Sequence, residues 1–490
     1  MKKKFKTAQG DANFALISYA NDDGDIPLFD QGNSGGLSNV TVIIGPNGSG
    51  KSRAISKIAD ELCYMRAIGK VLDLSVFRTR NMPSQAVITY RIGGDVCKIE
   101  RRGTEISCQK NAQATNFSSM PYPNQVAAVA HLSVDKYRFE RYGVTKFYKY
   151  LGLRQSGNLT TTSALETKVL QSLITGFGKP TFKNGFEQWL RLAGFHHSVK
   201  LVIELQTDAF LSANIDELNK AILNVQRGEL KKSDARIKRI AKEAPGLHDF
   251  FGSIAPLFKG DLTISIDLGS FFKNTRNVAA WTKSFDVARS LRAFKHVAVV
   301  FARSSQKHDK GYEFSELSSG EQQLIGTNAR LLAELEPNSL VVIDEPELSL
   351  HPDWQMKYIP TLRASLENIP GTHVLIATHS HFMVSDLDTY STALVIANKN
   401  SSPKFEMFKG DVYGRSPENI LYRVFGVAST GNIYVENDLR NALSMISEGG
   451  SVDIPALEGV LQRLQKVNGP DNVAMNIILE RITVFIQETK

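Results

Sequence analysis

An α/β fold is what this sequence predicts: a mixed sheet flanked by helices, interrupted by a mainly helical insertion and followed by a helical C-terminal region. Three stretches predict it. Residues 41–52 (TVIIGPNGSGKS) run from an apolar β-branched strand into a glycine-rich turn, while 339–352 (SLVVIDEPELSLHP) and 373–379 (HVLIATH) are apolar strands ending in polar side chains. Buried parallel strands read as continuous apolar runs and deliver their functional groups at the carboxyl end.

Taken in order, residues 12–44 read as two or three strands, with 14–19 one of them and NDDGD at 21–25 a solvated hairpin tip. The turn after Ile44 then has the phosphate-loop pattern G-x-x-x-x-G-K-[ST], set by Gly45, Gly50, Lys51 and Ser52 with Asn47, Gly48 and Ser49 inside it. Glycines let successive backbone N–H groups face inward and cradle β- and γ-phosphates; Lys51 adds a positive charge and the Ser52 hydroxyl can ligate Mg²⁺. A helix must follow to complete the anion site, and Ile55, Ile58, Leu62 and Met65 keep helical spacing up to Gly69, a C-cap. VITYRIGGDVCKIERR (87–102) reads as a hairpin around Gly93 and Gly94, and QVAAVAHLSVDKY (125–137) as a further apolar strand.

From 139 to 295 the texture changes to Ser/Thr/Gly-rich connections and aromatic helices such as FEQWLRLAGF (186–195). Ile215, Leu218, Ile222 and Val225 mark one further helix, and Ile237, Ile240 and Ala244 another that stops at Pro245. Heptads are not sustained, which excludes a long coiled coil. Arg227, Lys231, Lys232, Arg236, Lys238, Arg239 and Lys242 form a basic stretch, partly offset by Glu229 and Asp234. It reads as a solvated helix face or as a surface for nucleic acid or an acidic partner, without interleaved aromatics for base stacking.

Core texture returns with VAVVFA (297–302). ELSSGEQQ (316–323) then leads a helix carrying Leu324, Ile325, Leu331, Leu332 and Leu335 before Pro337, so Ser318 and the Gly320 backbone make a second anion site aimed at a γ-phosphate. Asp344 ends its strand where a carboxylate can hold Mg²⁺ through its water shell, and the adjacent Glu345 can accept a proton from attacking water. His379, just beyond its strand, can hydrogen-bond the γ-phosphate. After 411 the chain is amphipathic helix with no catalytic constellation.

The 490-residue length suits about three domains, and the boundaries expected are 1–138 for the first lobe, 139–295 for the insertion, 296–410 for the second lobe and 411–490 for the helical tail. Cys63, Cys97 and Cys108 have no metal-ligand or disulfide spacing and read as reduced thiols of a cytoplasmic protein. MKKKFK is followed by TAQGDAN rather than an apolar stretch, so no export signal is expected, and no run of about 18 apolar residues exists to span a membrane. The net charge of +8 raises the local concentration of any polyanion, ATP included.

With GPNGSGKS, LSSGEQ, IDEPELSLHP and ATHSHF in that order, the chain resembles ABC-type ATPases over roughly 1–135 and 295–410. The resemblance implies ATP and Mg²⁺ as cofactors, and a homodimer of head-to-tail ATPase heads that is part of a higher homo-oligomer. Each ATP would lie between one head's phosphate loop and the other head's signature. Lys51, Ser52, Asp344, Glu345 and His379 then act in cis, and Ser318 and Gly320 in trans. Ser319 and Glu321 stand where transporters have Gly and Gln, which resembles the Rad50, RecF and OLD branch instead. That family's glutamine loop has Gln125 and the segment 133–135 as candidates. The long interval between Lys51 and Ser318 argues against a transporter subunit. Asp386 and Asp388, the DxD pair nearest the end, follow His379 too closely for a Toprim domain and read as a helix cap. Within that branch the chain is most similar to the PtuA ATPases of Septu and some retron anti-phage systems, which implies a homo-oligomeric sensor and scaffold with a separate HNH nuclease, PtuB, as partner. AriA-like ATPases with a Toprim effector, and RecF-like repair ATPases that bind DNA directly, are the alternatives.

Overall fold

The computed structural model describes residues 13–29, 38–75, 77, 82–132, 135–138, 146–152, 162–212, 214–226, 246–273, 275, 277–304, 311–385, 387, 391–399, 404–408, 433–447, 453–467 and 473–489. The basic stretch 227–242, the helix expected around 237–244, residues 133 and 134, and Asp386 and Asp388 lie outside them. The chain divides into two compact units, Met1–Arg415 and Ser416–Lys490.

The first unit is α/β, built on a seven-stranded sheet. Its order is β17 (Phe405–Met407), β16 (Thr392–Ala397), β3 (Ser38–Ile44), β15 (Thr372–Thr378), β14 (Ser339–Asp344), β8 (Gln125–Ala130) and β9 (Tyr148–Tyr150). Every neighbouring pair is parallel except β16 with β17. The three apolar runs that predict the fold become β3, β14 and β15, buried along their whole length because layers cover both faces. Register then sets the chemistry: Ile44 lies opposite Thr378, and Asp344 opposite both Ala377 and Ala130. The residues that follow these four strands therefore emerge along one edge.

A six-stranded antiparallel sheet covers one side, ordered β2 (Gly24–Pro27), β1 (Ala15–Asn21), β4 (Gln85–Ile92), β5 (Asp95–Arg102), β6 (Glu105–Lys110) and β7 (Gln113–Thr115). The expected hairpin at 87–102 is β4 and β5, turning at Gly93 and Gly94, and β4 alternates buried and half-buried residues as a one-faced sheet must. Helix α1 (Lys51–Gly69) shares one core with both sheets through Ile55, Ile58, Leu62 and Met65. Its end differs from expectation. Gly69 is the last helical residue rather than a left-handed cap; the chain turns at Val71 (φ +53°), and Gly69 stands where a Cβ would fall 2.3 Å from the Phe117 ring. Glu61 of α1 and Arg101 of β5 form a buried two-bond ion pair, with Arg101 also donating to the carbonyls of Gly103 and Pro83.

The stretch 139–295 is not only helical. Beside α2 (Thr162–Phe177), α3 (Phe182–Leu192), α4 (Ile215–Gln226), α5 (Leu268–Lys273) and α6 (Val278–Ser290) it carries β10 (Phe195–Leu205) and β11 (Thr263–Asp267). These pair antiparallel with β12 (Phe294–Arg303) and β13 (Tyr312–Glu313) in a separate sheet ordered β11-β10-β12-β13. VAVVFA thus belongs to this sheet rather than to the seven-stranded one, and an aromatic cluster of Phe250, Trp281, Phe285 and Phe294 packs beside it. Helix α7 (Ser319–Glu334) packs on α2, and α8 (Pro352–Ser365) on α3.

The second unit consists, among its described residues, of α9 (Ile433–Ser447), α10 (Ile454–Val467) and α11 (Val473–Thr489) around Ala442, Leu457, Leu464 and Ile482. Among the described residues no helix is long and apolar enough to cross a membrane. Cys63, Cys97 and Cys108 are buried and form no disulfide.

Candidate functional site

The loop between β3 and α1 takes a backbone that glycine permits: Gly45, Gly48 and Gly50 have φ of +153°, +79° and +98°, and Gly50 caps α1 in the left-handed region. Lys51 is 4% exposed and folds back along this loop. Its ammonium donates to the carbonyls of Gly45 (2.8 Å) and Pro46 (3.2 Å) and to His379 Nδ1 (3.0 Å). Burial lowers its pKa, with Glu345, Glu347 and Asp344 opposing. Asn47 and Gly48 are exposed at the loop's crest. Ser49 is 1% exposed and its hydroxyl oxygen has no hydrogen-bond partner among the described residues.

Asp344 comes to Ser52 because β14 ends beside the start of α1. The Ser52 hydroxyl lies beside the Asp344 carboxylate and opposes its protonation, and Asp344 Oδ1 is buried without a hydrogen-bond partner among the described residues. Burial, with Glu345 adding to it, pushes Asp344 up to about 6. A buried carboxylate oxygen left unpaired beside a hydroxyl is a hard-oxygen donor set, so these residues fit Mg²⁺.

Glu345 leaves the ladder at φ +50°, a left-handed conformation costly for a residue with a Cβ. Its N–H still donates to Ala377 O at 2.9 Å, which turns the side chain off the sheet edge to meet His379 Nε2 at 2.7 Å from Oε1. Because Lys51 donates to Nδ1, the network assigns the His379 proton to Nε2, donating to Glu345. That bond raises the imidazole's pKa, against burial and the Lys51 charge. Lys51, His379 and Glu345, far apart in sequence, are thus one connected group.

Two residues of this edge escaped the sequence reading. Glu347 Oε1 accepts the His379 backbone N–H at 2.8 Å, and burial together with the Glu345 carboxylate pushes Glu347 up to about 7. His131 follows β8 beside the Asp344 strand, 8% exposed, with neither ring nitrogen partnered among the described residues; burial lowers it to about 4 and keeps it neutral. For His131 the signal was available: it directly follows a predominantly apolar, fully buried strand, as His379 does. Gln125, by contrast, is at the amino end of β8, where its side chain bonds Glu334 O and the Glu336 N–H, so it is at the wrong edge for the glutamine-loop role.

Ser318 caps α7: its N–H and hydroxyl both donate to Glu321 Oε2 at 2.9 Å, and its Oγ accepts from the Glu321 N–H. Arg303 holds the other oxygen of Glu321 at 2.7 Å. Burial opposes ionisation of Glu321, but these donors keep its pKa low. Gly320 presses on the turn after Glu345; a Cβ there would fall 2.5 Å from Ser349 O, and Gln323 donates to Pro346 O at 3.2 Å. The start of α7 is therefore seated on the turn that follows Glu345 in its own chain.

Residues 187–385, less than half of the chain, match the AAA-domain family whose description names the AbiEii toxin and a type IV TA system. Over 133 residues the chain is 35% identical to the Escherichia coli protein named "Retron Ec83 probable ATPase", a match spanning 25% of this chain and 23% of that protein. Among solved structures, it is similar to the Smc head domain of Pyrococcus furiosus, bound to the C-terminal domain of ScpA (11% identity, 81% of this chain and 96% of that one, TM-score 0.33). It is also similar to the SMC head domain of Thermotoga maritima (12% identity, 82% and 100%, TM-score 0.34). Structural likenesses this loose carry no argument about the site, which rests on the contacts above.

Proposed function

We propose that this chain binds and hydrolyses ATP as the sensor and scaffold subunit of an anti-phage defence system, pairing head to tail with a second copy and controlling a nuclease supplied in trans. One observation carries the hydrolytic reading: β3, β14 and β15 end in register, so that the glycine loop, Ser52 with Asp344, Glu345 and His379 converge on one sheet edge. The AbiEii-type family match and the retron relative support the defence setting.

In this reading the loop amides and Lys51 bind the β- and γ-phosphates, exchanging the Gly45 and Pro46 carbonyls for phosphate oxygens. Ser52 and Asp344 would hold Mg²⁺, which would supply positive charge against the phosphate oxygens. Glu345 takes a proton from the attacking water; His379 orients that carboxylate and reports on the γ-phosphate through the nitrogen now facing Lys51. Ser318 and Gly320 serve the γ-phosphate of the second copy from the start of α7.

The test is nucleotide binding, turnover and mass of the purified chain with and without Mg²⁺-ATP, alone and co-expressed with a neighbouring HNH gene product. Expected are ATP uptake lost in Lys51→Ala, ATP-dependent self-association, and a stable complex with the nuclease. A chain that takes up no ATP refutes the reading; one that binds DNA without any effector favours the RecF-like alternative.

A further inference from the structure

We propose that Glu347 is a positioning residue for hydrolysis: its carboxylate clamps the main chain of His379 and so sets the imidazole between Glu345 and Lys51. This rests on the ATP-hydrolysis reading above and assigns a task to a residue that the phosphate-loop logic leaves idle.

β15 ends at Thr378, and the last main-chain tie between the two strand exits is the Glu345 N–H to Ala377 O bond at 2.9 Å. The next donor along, the His379 N–H, goes to Glu347 Oε1 at 2.8 Å instead. A side chain thus extends the pairing by one step past the sheet. A carboxyl oxygen accepting that amide holds the first residue past the strand in one place.

His379 depends on that hold. Its side chain is 43% exposed, so packing does little to fix the ring. Its orientation is set by Glu345 Oε1 at 2.7 Å and Lys51 Nζ at 3.0 Å, and both distances require the His379 backbone to stay where Glu347 keeps it. Ligand atoms of Glu345, Glu347 and His379 all lie within 4.8 Å of one another, so a small shift of the clamp is felt at the hydrolytic carboxylate. Glu347 Oε1 accepts the His379 amide and its Oε2 is buried, whereas the Glu345 carboxylate meets the imidazole itself.

Two substitutions separate clamp from charge. Glu347→Gln keeps an oxygen for the His379 N–H, whereas Glu347→Ala removes it. With full-length protein, Glu347→Ala is expected to lower kcat by about 10- to 100-fold, the scale of a misplacement near 1 Å, with ATP affinity unchanged. Glu347→Gln should retain kcat to within a few fold of the parent, and amide exchange of the peptide containing His379 should accelerate in the Ala variant but not in the Gln variant. Parental kcat in Glu347→Ala, equal impairment of both variants, or unchanged exchange overturns the proposal. If the parent itself shows no ATP turnover, the hydrolytic reading fails, and the exchange measurement still decides whether the clamp exists.

Discussion

His373 Nδ1 accepts the backbone N–H of Leu16 at 2.8 Å, a bond between a central strand of the parallel sheet and the antiparallel sheet laid over it. On its other side Nε2 donates to Thr41 Oγ1 at 2.9 Å, and that hydroxyl donates to Leu28 O at 2.6 Å. The imidazole is completely buried between Phe14 and Phe29, so both sheets are tied through a ring that must stay neutral. Burial lowers its pKa to about 3.

The unfolded chain protonates His373 near pH 6.5 and the folded one near 3, so the unfolded state binds more protons between those values. Its contribution is whole above pH 6.5 and is lost as the pH falls, by at most about 1.4 kcal/mol per pH unit. Urea midpoints from pH 7 to 4 should therefore drop more steeply for the parent than for His373→Gln, which keeps a donor and an acceptor without titrating. Parallel pH profiles for the two proteins would contradict this account.

Glu345→Gln should leave ATP binding intact and slow hydrolysis by roughly 10²- to 10⁴-fold, the usual weight of a general base. The amide can still accept from His379 Nε2, so the group's geometry survives while the proton acceptor is gone. Single-turnover hydrolysis beside equilibrium ATP binding checks it; parental turnover in the variant would remove Glu345 from the mechanism.

The Glu61–Arg101 pair makes a claim about stability alone. The two side chains are 0% and 2% exposed, so Glu61→Ala strands a guanidinium in the core that joins α1 to the antiparallel sheet. A loss of about 3–5 kcal/mol in chemical denaturation is expected. Replacing both residues by apolar ones of similar size should cost less than the single change, and the reverse order would show that the ion pair is not what sets the cost.

Legibility follows the range of the interactions. The glycine loop, Asp344, Glu345 and His379 could be read because each needs only its own strand and the turn after it. Glu347 could not, since its partner is a main-chain N–H 32 positions away, fixed only by the β14–β15 register. The Gln125 candidate failed for a similar reason: a strand's apolar run shows burial but not which end faces the phosphate loop, and the parallel pairing of β8 with β14 puts Gln125 beside Ser339. The sheet that VAVVFA joins is not legible from its own residues, because its partner FHHSVKLVIEL in β10 lies within a stretch whose composition reads as helical.

Arg303 offers the sharpest test of the head-to-tail pairing. Glu321 places a carboxylate in the first turn of α7, where a second copy's triphosphate would approach, and a negative charge there opposes an anion at the helix start. Arg303 bonds that carboxylate at 2.7 Å while its guanidinium lies over the Phe195 ring, 4.1 Å from the centroid. If the pairing is right, Arg303→Ala exposes the Glu321 charge and weakens ATP-dependent self-association about three- to tenfold, whereas adding Glu321→Gln restores it to within a few fold. Sedimentation with Mg²⁺-ATP measures all three proteins. Were the double variant as weak as Arg303→Ala alone, the lost contact with Phe195 would explain the defect, and the charge argument for this end of α7 would fall with it.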